Sequence, residues 1–452
     1  MPRKVGRHTT AALRLFFLTN VVDISSQRSV VVAAAATSAS CRSSFITTRA
    51  AAGTPRRRPW GLPSRSPLTA SQSSQRMSTP YLHLAKRNRT SSSLTMSKIG
   101  VDIRVPEDWA VESNFVEGKK CIGTHSGSFH CDEALACVML KLLPEWSDAV
   151  IVRTRDEAEL AKCEAVVDVG GVYDSASLRF DHHQKTFQDT LSEESFKTRL
   201  SSAGLVYRHF GRRVLKVLVE GSGVPDKVVD EKLYGKVYKD FLEHMDARDD
   251  GADVASGSRK YDVSSHLSAR VSRLNPSWNE PEDPSGPGGP NARFKQAMSL
   301  TGGELCAYVR GLATSWWPAR SIVAESLARR KEEHPSGQIV VLRSYCPWKG
   351  HLLELEEEMG IAGELKFVLY AEGPDPDSKW RIQAVPQTED SFALRLSLAK
   401  PWLGLRGEEL CAKSGVDGCV FVHVNGFIGG NATRVGAMAM AAKSLQMAAS
   451  TA

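Results

Sequence analysis

The sequence predicts an α/β protein with two domains behind a long N-terminal tail. Three features support this prediction: short apolar segments alternate with helical patterns from residue 118 onward, a proline- and glycine-rich stretch occupies residues 276–291, and residues 1–97 differ sharply in composition. A chain of 452 residues is long enough for two domains of about 100–200 residues each. Its composition, 42% hydrophobic and 24% charged, excludes collagen-like and wholly disordered proteins.

The first 97 residues are rich in Ser, Thr, Ala and Arg. Residues 1–98 contain 16 of the 58 Lys and Arg residues but only one of the 51 acidic residues, Asp23. This composition is typical of a transit peptide, so we expect residues 1–97 to be a disordered tail that directs the protein to the mitochondrial matrix, with a plastid as the alternative organelle. One other interpretation is a disordered tail without a targeting function. Another is translation from Met96, which would give a nuclear or cytoplasmic form.

The remainder of the chain has more acidic than basic residues. The net charge of +7 therefore reflects the tail and does not indicate nucleic-acid binding by the folded part. Nine cysteines without a C-x-x-C pair, several of them in apolar segments, indicate reduced thiols in an intracellular compartment. No apolar run approaches the ~20 residues of a membrane helix, so we expect no membrane insertion.

Residues 118–275 are predicted to form the first domain. Strand-like segments lie at Cys121–Thr124, 150–152 and 165–167, and helical patterns separate them. This βαβ alternation predicts a parallel sheet covered by helices. A longer helix is expected from Asp226, with apolar residues spaced by fours up to Met245.

Residues 276–291 are predicted to be a linker, because so many prolines and glycines cannot continue a helix or a central strand. Residues 292–452 are predicted to form a smaller α/β domain. Its helical pattern covers 292–330, and its strands are expected at 338–342, 366–370, 380–385 and 419–424.

Histidine and acidic residues cluster in short motifs that follow the predicted strands of the first domain. The motifs are GTHSGSFHCDE, VVDVGG, RFDHHQ and EHMDARDDG, and the candidate ligands in them are His125, His130, Asp132, Glu133, Asp168, Asp181, His182, His183, Asp246 and Asp249. Ligands of parallel sheets gather beyond the carboxyl ends of the strands, so we expect these side chains to meet there.

Mixed imidazole and carboxylate ligands suit Mn²⁺, Fe²⁺, Co²⁺ or Zn²⁺ better than a lone Mg²⁺. The number of carboxylates suggests two ions, a recurrent arrangement for hydrolysing phosphoesters. The residues alone therefore predict hydrolysis of a phosphoester or phosphoanhydride, with Mn²⁺ favoured and Mg²⁺, Co²⁺ or Zn²⁺ as alternatives.

With these motifs the sequence resembles the DHH phosphoesterase superfamily and, within it, the MYG-type (melanocyte-proliferating-gene) family of metal-dependent nucleases. The superfamily's namesake motif is present at residues 181–183, and GTHSGSFHCDEALAC, RLNPSWNEP and FVHVNGFIGG mark the family. The resemblance covers residues 118–445 and implies an N-terminal DHH-type catalytic domain with a C-terminal substrate-binding domain.

The resemblance also implies roles for individual residues. The implied metal ligands are His125, His130, Asp132, Asp168, His182 and Asp246. In the fourth motif, Asp249 is the next candidate after Asp246. The spacing of His130 departs from the pattern of the superfamily. Asp168 would bridge two ions, His183 would face the scissile phosphate, and Asp181 would act with it, chiefly by orienting its neighbours. The nucleophile would be a water molecule activated by the two ions.

The segment NGFIGGNATRVGAMAMA is predicted to be a strand, a glycine-rich loop and a helix. Gly429 and Gly430 would let the backbone approach a phosphate, and Arg434 would grip it with its planar guanidinium. These three residues are the candidate substrate-binding residues. A tight turn without a ligand is the alternative interpretation of the glycines.

Three functions are compatible with these features. The first, favoured by the family resemblance, is a metal-dependent 3′–5′ exoribonuclease that acts on RNA or oligonucleotides. The second is a small-phosphate hydrolase, such as a pyrophosphatase or nucleotide phosphodiesterase, and the third is a non-catalytic, metal-stabilised RNA-binding protein. The sequence leaves the oligomeric state open.

Overall fold

The computed structural model describes residues 109–450, except positions 193, 259, 282, 284 and 285. The predicted tail at 1–97 and the alternative start at Met96 lie outside the described residues. Within the described part, helices and strands mix to give the α/β class predicted from the sequence.

Two sheets account for the strands of the described chain. The strands are β1 (Val111–Glu112), β2 (Cys121–Thr124), β3 (Val150–Arg153), β4 (Ala165–Val167), β5 (Tyr173–Asp174), β6 (Arg179–Phe180), β7 (Ile339–Val341), β8 (Phe367–Ala371), β9 (Trp380–Ala384), β10 (Cys419–Val422) and β11 (Ile428–Asn431). The first six form one sheet and the last five form the other.

The α-helices range from a single turn to 22 residues. They are α1 (Cys131–Lys141), α2 (Glu157–Leu160), α3 (Ser202–Val219), α4 (Asp226–Val228), α5 (Tyr234–Val237), α6 (Glu243–Asp249), α7 (Leu267–Ser272), α8 (Pro290–Gly311), α9 (Trp317–Ala328), α10 (Arg330–Glu333), α11 (Lys349–Glu358), α12 (Gly407–Ser414) and α13 (Arg434–Ala449). Short 3₁₀ turns lie at Pro144–Trp146 and Lys400–Trp402, and π-helical turns at Val229–Leu233, Tyr238–Leu242 and Leu312–Trp316.

The first sheet has the order β1-β3-β2-β4-β6-β5, with parallel pairing throughout except between β5 and β6. Strand β2 lies inside this sheet and all four of its residues are buried, as expected for a strand that is covered on both faces. The parallel pairs place the carboxyl ends of β2, β4 and β6 along one edge of the sheet. The parallel sheet predicted for this part of the chain is confirmed.

Helix α1 begins just after β2 and every one of its side chains is buried. A helix that is buried all round needs neighbours on several sides. Helices α3 and α8 pack against it, and their apolar side chains join the same hydrophobic core. Helix α1 is therefore a fixed support for the residues at its N-terminus.

The second sheet has the order β10-β11-β9-β8-β7 and is antiparallel except for the pair β7 and β8. Helix α13 packs on one part of it, with Leu398 and Trp402 in the same core. Helices α9 and α11 contribute to a second core with Val340 and Val368. The strands predicted in this part of the chain are confirmed, and the strand predicted in the segment NGFIGG is β11, which extends over both of its glycines at 429 and 430.

The predicted linker runs into α8, which has Pro290 at its first position. Asp283 accepts hydrogen bonds from the backbone amides of Gly286 and Gly288, which form a turn before the helix. The division into domains at 118–275, 276–291 and 292–452 remains a prediction. None of the helices in the described chain is both long enough and apolar enough to cross a bilayer.

Candidate metal centre

The first motif links the end of β2 to the start of α1. His125 follows the last residue of β2 and is 3% exposed. His130 is the N-cap residue of α1, and its backbone amide donates to Oε1 of Glu133 at 2.7 Å. This capping interaction, together with the buried first turn of the helix, fixes Glu133 beside His125 and Asp132 near His130.

Asp168 lies at the centre of the cluster, immediately after β4. Its Oδ2 is 3.3 Å from Nε2 of His125, and its Oδ1 is 3.2 Å from Nε2 of His182, which follows β6. Nε2 of His125 also lies 3.2 Å from Oε1 of Glu133. One carboxylate thus joins residues from the ends of three neighbouring parallel strands, as the sequence predicted.

The backbone of Asp168 has a φ of +57°, in the left-handed region. Aspartate tolerates this region better than most residues, but the conformation still carries strain. The following residues, Gly170 and Gly171, also have positive φ, so the chain turns sharply after β4. The turn directs the carboxylate back over the edge of the sheet.

Asp249, and not Asp246, is the residue of the fourth motif that reaches this cluster. Oδ2 of Asp249 is 3.0 Å from Nε2 of His182, and Asp249 also groups with His130 and Asp132 as a set of potential metal ligands. The geometry therefore favours Asp249, whereas the sequence analysis placed Asp246 first; metal binding by either residue remains a prediction.

The carboxylate of Asp246 has other partners. Its Oδ1 accepts from the hydroxyl and the amide of Ser201 at 2.7 and 3.1 Å, and its Oδ2 accepts from the hydroxyl of Tyr238 at 2.8 Å. Burial raises the pKa of Asp246 to about 7, although these hydrogen bonds act in the opposite direction. Asp246 ties α6 to the start of α3 and to the preceding π turn.

Asp181 and His183 form a hydrogen-bonded pair at the mouth of the cluster. Oδ1 of Asp181 lies 2.7 Å from Nδ1 of His183, and Oδ2 accepts from the amide of Gly171 at 2.6 Å. The side chain of His183 is 62% exposed, whereas Asp181 is buried. This arrangement fits an orienting role for Asp181 and an accessible His183, while their part in a reaction stays a prediction.

The acidic groups change the protonation of their histidine neighbours. Burial alone would lower the pKa of His125, but Asp168 and Glu133 outweigh it and raise the pKa to about 10. Burial is likewise outweighed at His182, where Asp168 and Asp249 raise the pKa to about 9. Burial would raise the pKa of Asp168, and its two histidine partners lower it to about 2.

Asp132 experiences the opposite effect. Burial and the negative charges of Asp168, Asp249 and Glu133 raise the pKa of Asp132 well above its usual value. Its Oδ2 accepts from the hydroxyl of Ser202 at 2.7 Å. The cluster therefore concentrates more negative charge than its own side chains neutralise, and a multivalent cation would relieve it.

Three buried polar atoms in this cluster have no hydrogen-bond partner within the described part of the chain: Asp132 Oδ1, Glu133 Oε2 and His182 Nδ1. Buried polar atoms are almost always satisfied, so a group of exceptions calls for an explanation. Nitrogen and carboxylate oxygen donors that converge in this way fit divalent metal ions. The predicted metal ligands other than Asp246 lie within these convergent groups.

Supporting residues that the sequence analysis did not single out hold the loop between His125 and His130. The side-chain amide of Asn275 accepts from the amide of Phe129 at 2.9 Å and donates to the carbonyl of Phe129 at 2.8 Å. The guanidinium of Arg153, 2% exposed, donates to the carbonyl of Gly127 at 2.7 Å. Asn275 lies in the family motif RLNPSWNEP. The motif alone does not indicate that Asn275 contacts Phe129.

The candidate substrate-binding residues of the second half differ from their predicted setting. Gly429 and Gly430 are buried in β11, which pairs with β9 and β10, and therefore do not form a glycine-rich loop. A Cβ at Gly429 would lie 2.7 Å from Cδ1 of Leu398 and 3.1 Å from the carbonyl oxygen of Phe421, so close packing explains this glycine. Arg434, exposed at the start of α13, pairs with Glu333. Substrate binding by these three residues remains a prediction.

Together these features define an α/β protein with a candidate metal centre at the carboxyl ends of a parallel sheet. The chain belongs to the MYG1 exonuclease family: the profile MYG1_exonuc, described as an uncharacterised protein family (UPF0160), matches residues 121–445. The resemblance to the MYG-type family found in the sequence is thereby confirmed.

Similar proteins occur across eukaryotes. The chain is 48% identical over 330 residues to MYG1 exonuclease of Homo sapiens, covering 72% of this chain and 85% of that protein. It is 48% identical over 330 residues to MYG1 exonuclease of Mus musculus, with 72% and 84% coverage. It is 44% identical over 332 residues to MYG1 protein of Dictyostelium discoideum, with 73% and 98% coverage.

Among solved structures, the pGpG-specific phosphodiesterase PggH of Vibrio cholerae matches 73% of this chain and 99% of that chain. The sequence identity is 14% and the TM-score is 0.21, so this match carries no argument about the site.

Proposed function

We propose that this protein is a metal-dependent phosphodiesterase that degrades RNA or oligonucleotides as a 3′–5′ exonuclease. The observation that carries the proposal is the buried carboxylate of Asp168, which lies between His125 and His182 within convergent groups of metal-ligating atoms. The similar proteins of human and mouse are named exonucleases, which supports a nuclease over other phosphoester hydrolases. The RNA substrate and the 3′–5′ direction come from the family resemblance.

We assign the ligands to two proposed sets that share Asp168. His125 and Glu133 accompany one oxygen of Asp168, and His182 approaches the other, with Asp249 beside Nε2 of His182. His130 groups with the first set and also with Asp132 and Asp249, which would complete the second set. Two divalent ions, with Mn²⁺ favoured by the mixed donors, would supply Lewis acidity and activate a water molecule for attack on phosphorus.

The remaining residues would act on the substrate and on its protons. With Nδ1 of His183 held by Asp181, Nε2 is the nitrogen available to a phosphate oxygen. Because the side chain is 62% exposed, it can meet a substrate that enters from solvent. Asp181 would fix the orientation of this ring and, through Gly171, the turn that carries Asp168.

The test is degradation of RNA labelled at either end, with the purified, Mn²⁺-loaded protein and with pyrophosphate in a parallel assay. We expect single nucleotides to be released from the 3′ end, and His182→Ala and Asp168→Asn to lose this activity while their circular dichroism is unchanged. His334→Ala is the control, since the side chain of this half-buried histidine hydrogen-bonds to Ser336 in a turn outside the cluster. Release of nucleotides from the 5′ end would contradict the proposal. Wild-type activity in His182→Ala and Asp168→Asn would contradict it as well.

A second candidate is hydrolysis of small phosphate compounds or very short oligonucleotides. Long RNA is usually held by a basic groove, but the chain beyond its first 98 residues has more acidic than basic residues. Phosphate release from pyrophosphate, or activity restricted to dinucleotides, would favour this candidate. Metal binding without turnover of any substrate would favour a metal-stabilised RNA-binding protein.

We also propose that residues 1–97 direct the protein to the mitochondrial matrix, on the basis of sixteen basic residues and one acidic residue in residues 1–98. A fluorescent protein fused to residues 1–97 should enter mitochondria, and the chain that starts at Met96 should not. Import of the chain from Met96, or plastid import of the fusion, would contradict a mitochondrial address.

A further inference from the structure

A pocket of about 270 Å³ opens beside the metal centre, and its walls differ in charge. His130, Asp132 and Asp249 line the wall shared with the metal centre, whereas Arg248 and His266 are the basic side chains of the remaining wall, beside small and apolar residues such as Met245 and Ser272. A cavity that joins an acidic metal site to cationic side chains is suited to a ligand with more than one anionic group.

Arg248 is exposed at the end of α6, directly before Asp249. In the part of the chain that the structure describes, its guanidinium makes no hydrogen bond or ion pair, although several carboxylates are close by. Asp249 is instead directed to His182. An arginine without a partner in a pocket keeps its planar set of donors for an incoming carboxylate or phosphate.

His266 adds a second donor to this wall. It is the N-cap residue of α7, where its Nδ1 accepts from the amide of Ala269 at 3.2 Å. An acceptor at Nδ1 requires the proton of the neutral ring to be on Nε2, which is therefore a donor. Burial and the nearby charges of Arg248 and Arg273 lower the pKa of His266, a sign that this wall is electropositive.

We infer that Arg248 and His266 form a subsite for the phosphate that neighbours the scissile phosphate of an oligonucleotide. This inference rests on the proposed phosphodiesterase function, because the metal centre would hold the scissile phosphate. The successive phosphates of a nucleic acid carry one charge each, so a pocket next to the metal centre receives the next charge along the strand. The subsite binds the substrate and takes no part in holding the metal ions.

The test compares trinucleotides that differ in a single charge. In one, both linkages are ordinary phosphodiesters; in the other two, one or the other linkage is a neutral methylphosphonate. We expect the wild-type protein to hydrolyse the 3′-terminal linkage of the fully charged trinucleotide with a kcat/KM about 10- to 100-fold above that for the analogue whose other linkage is neutral, because one charged hydrogen-bond partner is removed there. Arg248→Ala should abolish this preference by raising KM for the charged substrate, with its metal content unchanged.

Binding provides a readout that does not depend on turnover. The Ca²⁺-loaded protein is titrated calorimetrically with the same three trinucleotides, and Arg343→Ala, an exposed arginine paired with Glu325, is the control. Arg248→Ala should weaken binding of the charged trinucleotide about 10- to 100-fold, Arg248→Lys should restore it only in part, and Arg343→Ala should bind as the wild type does. Equal binding of charged and neutral trinucleotides by the wild type, or an unchanged affinity in Arg248→Ala, overturns the subsite.

The two proposals can fail separately. Tight, Arg248-dependent binding of trinucleotides without hydrolysis would remove the phosphodiesterase function and leave the anion subsite. Hydrolysis with the same charge preference in the wild type and in Arg248→Ala would leave the function and remove the subsite.

Discussion

Asp246 and Asp249 lie one turn apart on α6 and make different contacts. Asp249 approaches His182, whereas Asp246 accepts three hydrogen bonds from Ser201 and Tyr238. Motif spacing does not distinguish two aspartates three residues apart on a helix, because both lie near the same face. Their contacts with Ser201 and His182, which lie in parts of the chain far from α6, distinguish the two aspartates.

Substituting the two aspartates should separate metal binding from stability. We expect Asp249→Asn to lower Mn²⁺ binding and to reduce hydrolysis by about 10²- to 10³-fold, since a misplaced ion removes several kcal/mol of transition-state stabilisation. Its unfolding free energy should change little, because Asp249 is not fully buried. Isothermal titration with Mn²⁺ and RNA hydrolysis provide the measurements.

Asp246→Asn should instead lower the unfolding free energy by about 1–3 kcal/mol, because an amide cannot accept from all three of the buried donors. Chemical denaturation measures this loss. If Asp246→Asn binds less metal than Asp249→Asn at equal stability, the order of the two ligands proposed above is wrong.

Asn275 offers a test of how the loop of the first motif is positioned. Its amide bonds both the N–H and the carbonyl of Phe129, one residue before His130. In Asn275→Asp the carboxylate loses the donor to the carbonyl, so we expect Mn²⁺ affinity to fall by about 10-fold or more, as for outer partners of metal ligands. Asn275→Ala should lose at least as much.

Asn425→Ala is a suitable control for this loop, because Asn425 is an exposed asparagine in the turn before β11. Metal titration of all three proteins at equal folded fraction gives the comparison. Unchanged Mn²⁺ affinity in Asn275→Asp would mean that Arg153 and the capping of α1 suffice to hold the loop.

The helix that begins at Asp226 shows what a spacing pattern can and cannot predict. Four residues advance about 40° beyond a full turn of an α-helix, so apolar residues spaced by fours drift around a regular helix. The structure widens this helix with π turns at Val229–Leu233 and Tyr238–Leu242, and residues 233, 237, 241 and 245 all stay buried. The helix was predictable from the pattern; the π turns depend on packing against α3.

The second sheet shows the opposite case. A run of glycines next to a helix usually indicates a loop, because glycine weakens strands. In β11, Gly429 and Gly430 are accommodated because Leu398, Phe421 and Arg381 come from other segments to fill the space that side chains would occupy. Such contacts between segments far apart in sequence are absent from a local pattern, which is why the loop prediction was wrong.

Helix α8 contains a matched pair of glycines that tests its packing on α1. A Cβ at Gly302 would lie 2.9 Å from Cγ1 of Val138, whereas a Cβ at Gly311 would have no neighbour within 4 Å. We expect Gly302→Ala to destabilise the protein by about 1–3 kcal/mol through overpacking. Gly311→Ala should stabilise it by about 0.5–1 kcal/mol through helix propensity.

Thermal and chemical unfolding of these two variants give the comparison. Equal stability of both would mean that α1 and α8 can move apart without loss, contrary to the close contact described above.

The metal centre should also contribute to the stability of the folded protein. Asp132, Asp168 and Glu133 are all buried within one cluster, and the neighbouring histidines His125 and His182 relieve their mutual repulsion only in part. At a free Mn²⁺ concentration 100 times its dissociation constant, one ion adds about 2.7 kcal/mol. The melting temperature should therefore rise with Mn²⁺ and fall when EDTA is added.

Asp168→Asn is the matched variant for this experiment, since it removes the charge of the shared carboxylate. Its melting temperature should rise less with Mn²⁺ than that of the wild type. An EDTA-treated protein that melts at the same temperature as the Mn²⁺-loaded one would argue against a metal site in the folded state.

Helix α8 carries a consequence for how the protein is made. All the proposed metal ligands lie between residues 125 and 249, so a ribosome releases them before α8 at Pro290–Gly311. Yet α1, which carries Asp132 and Glu133, shares its core with Phe294, Met298 and Leu305 of α8. The nascent chain therefore exposes a complete set of ligands while their support is still unfinished, and firm capture of metal ions must wait until α8 has left the exit tunnel and packed.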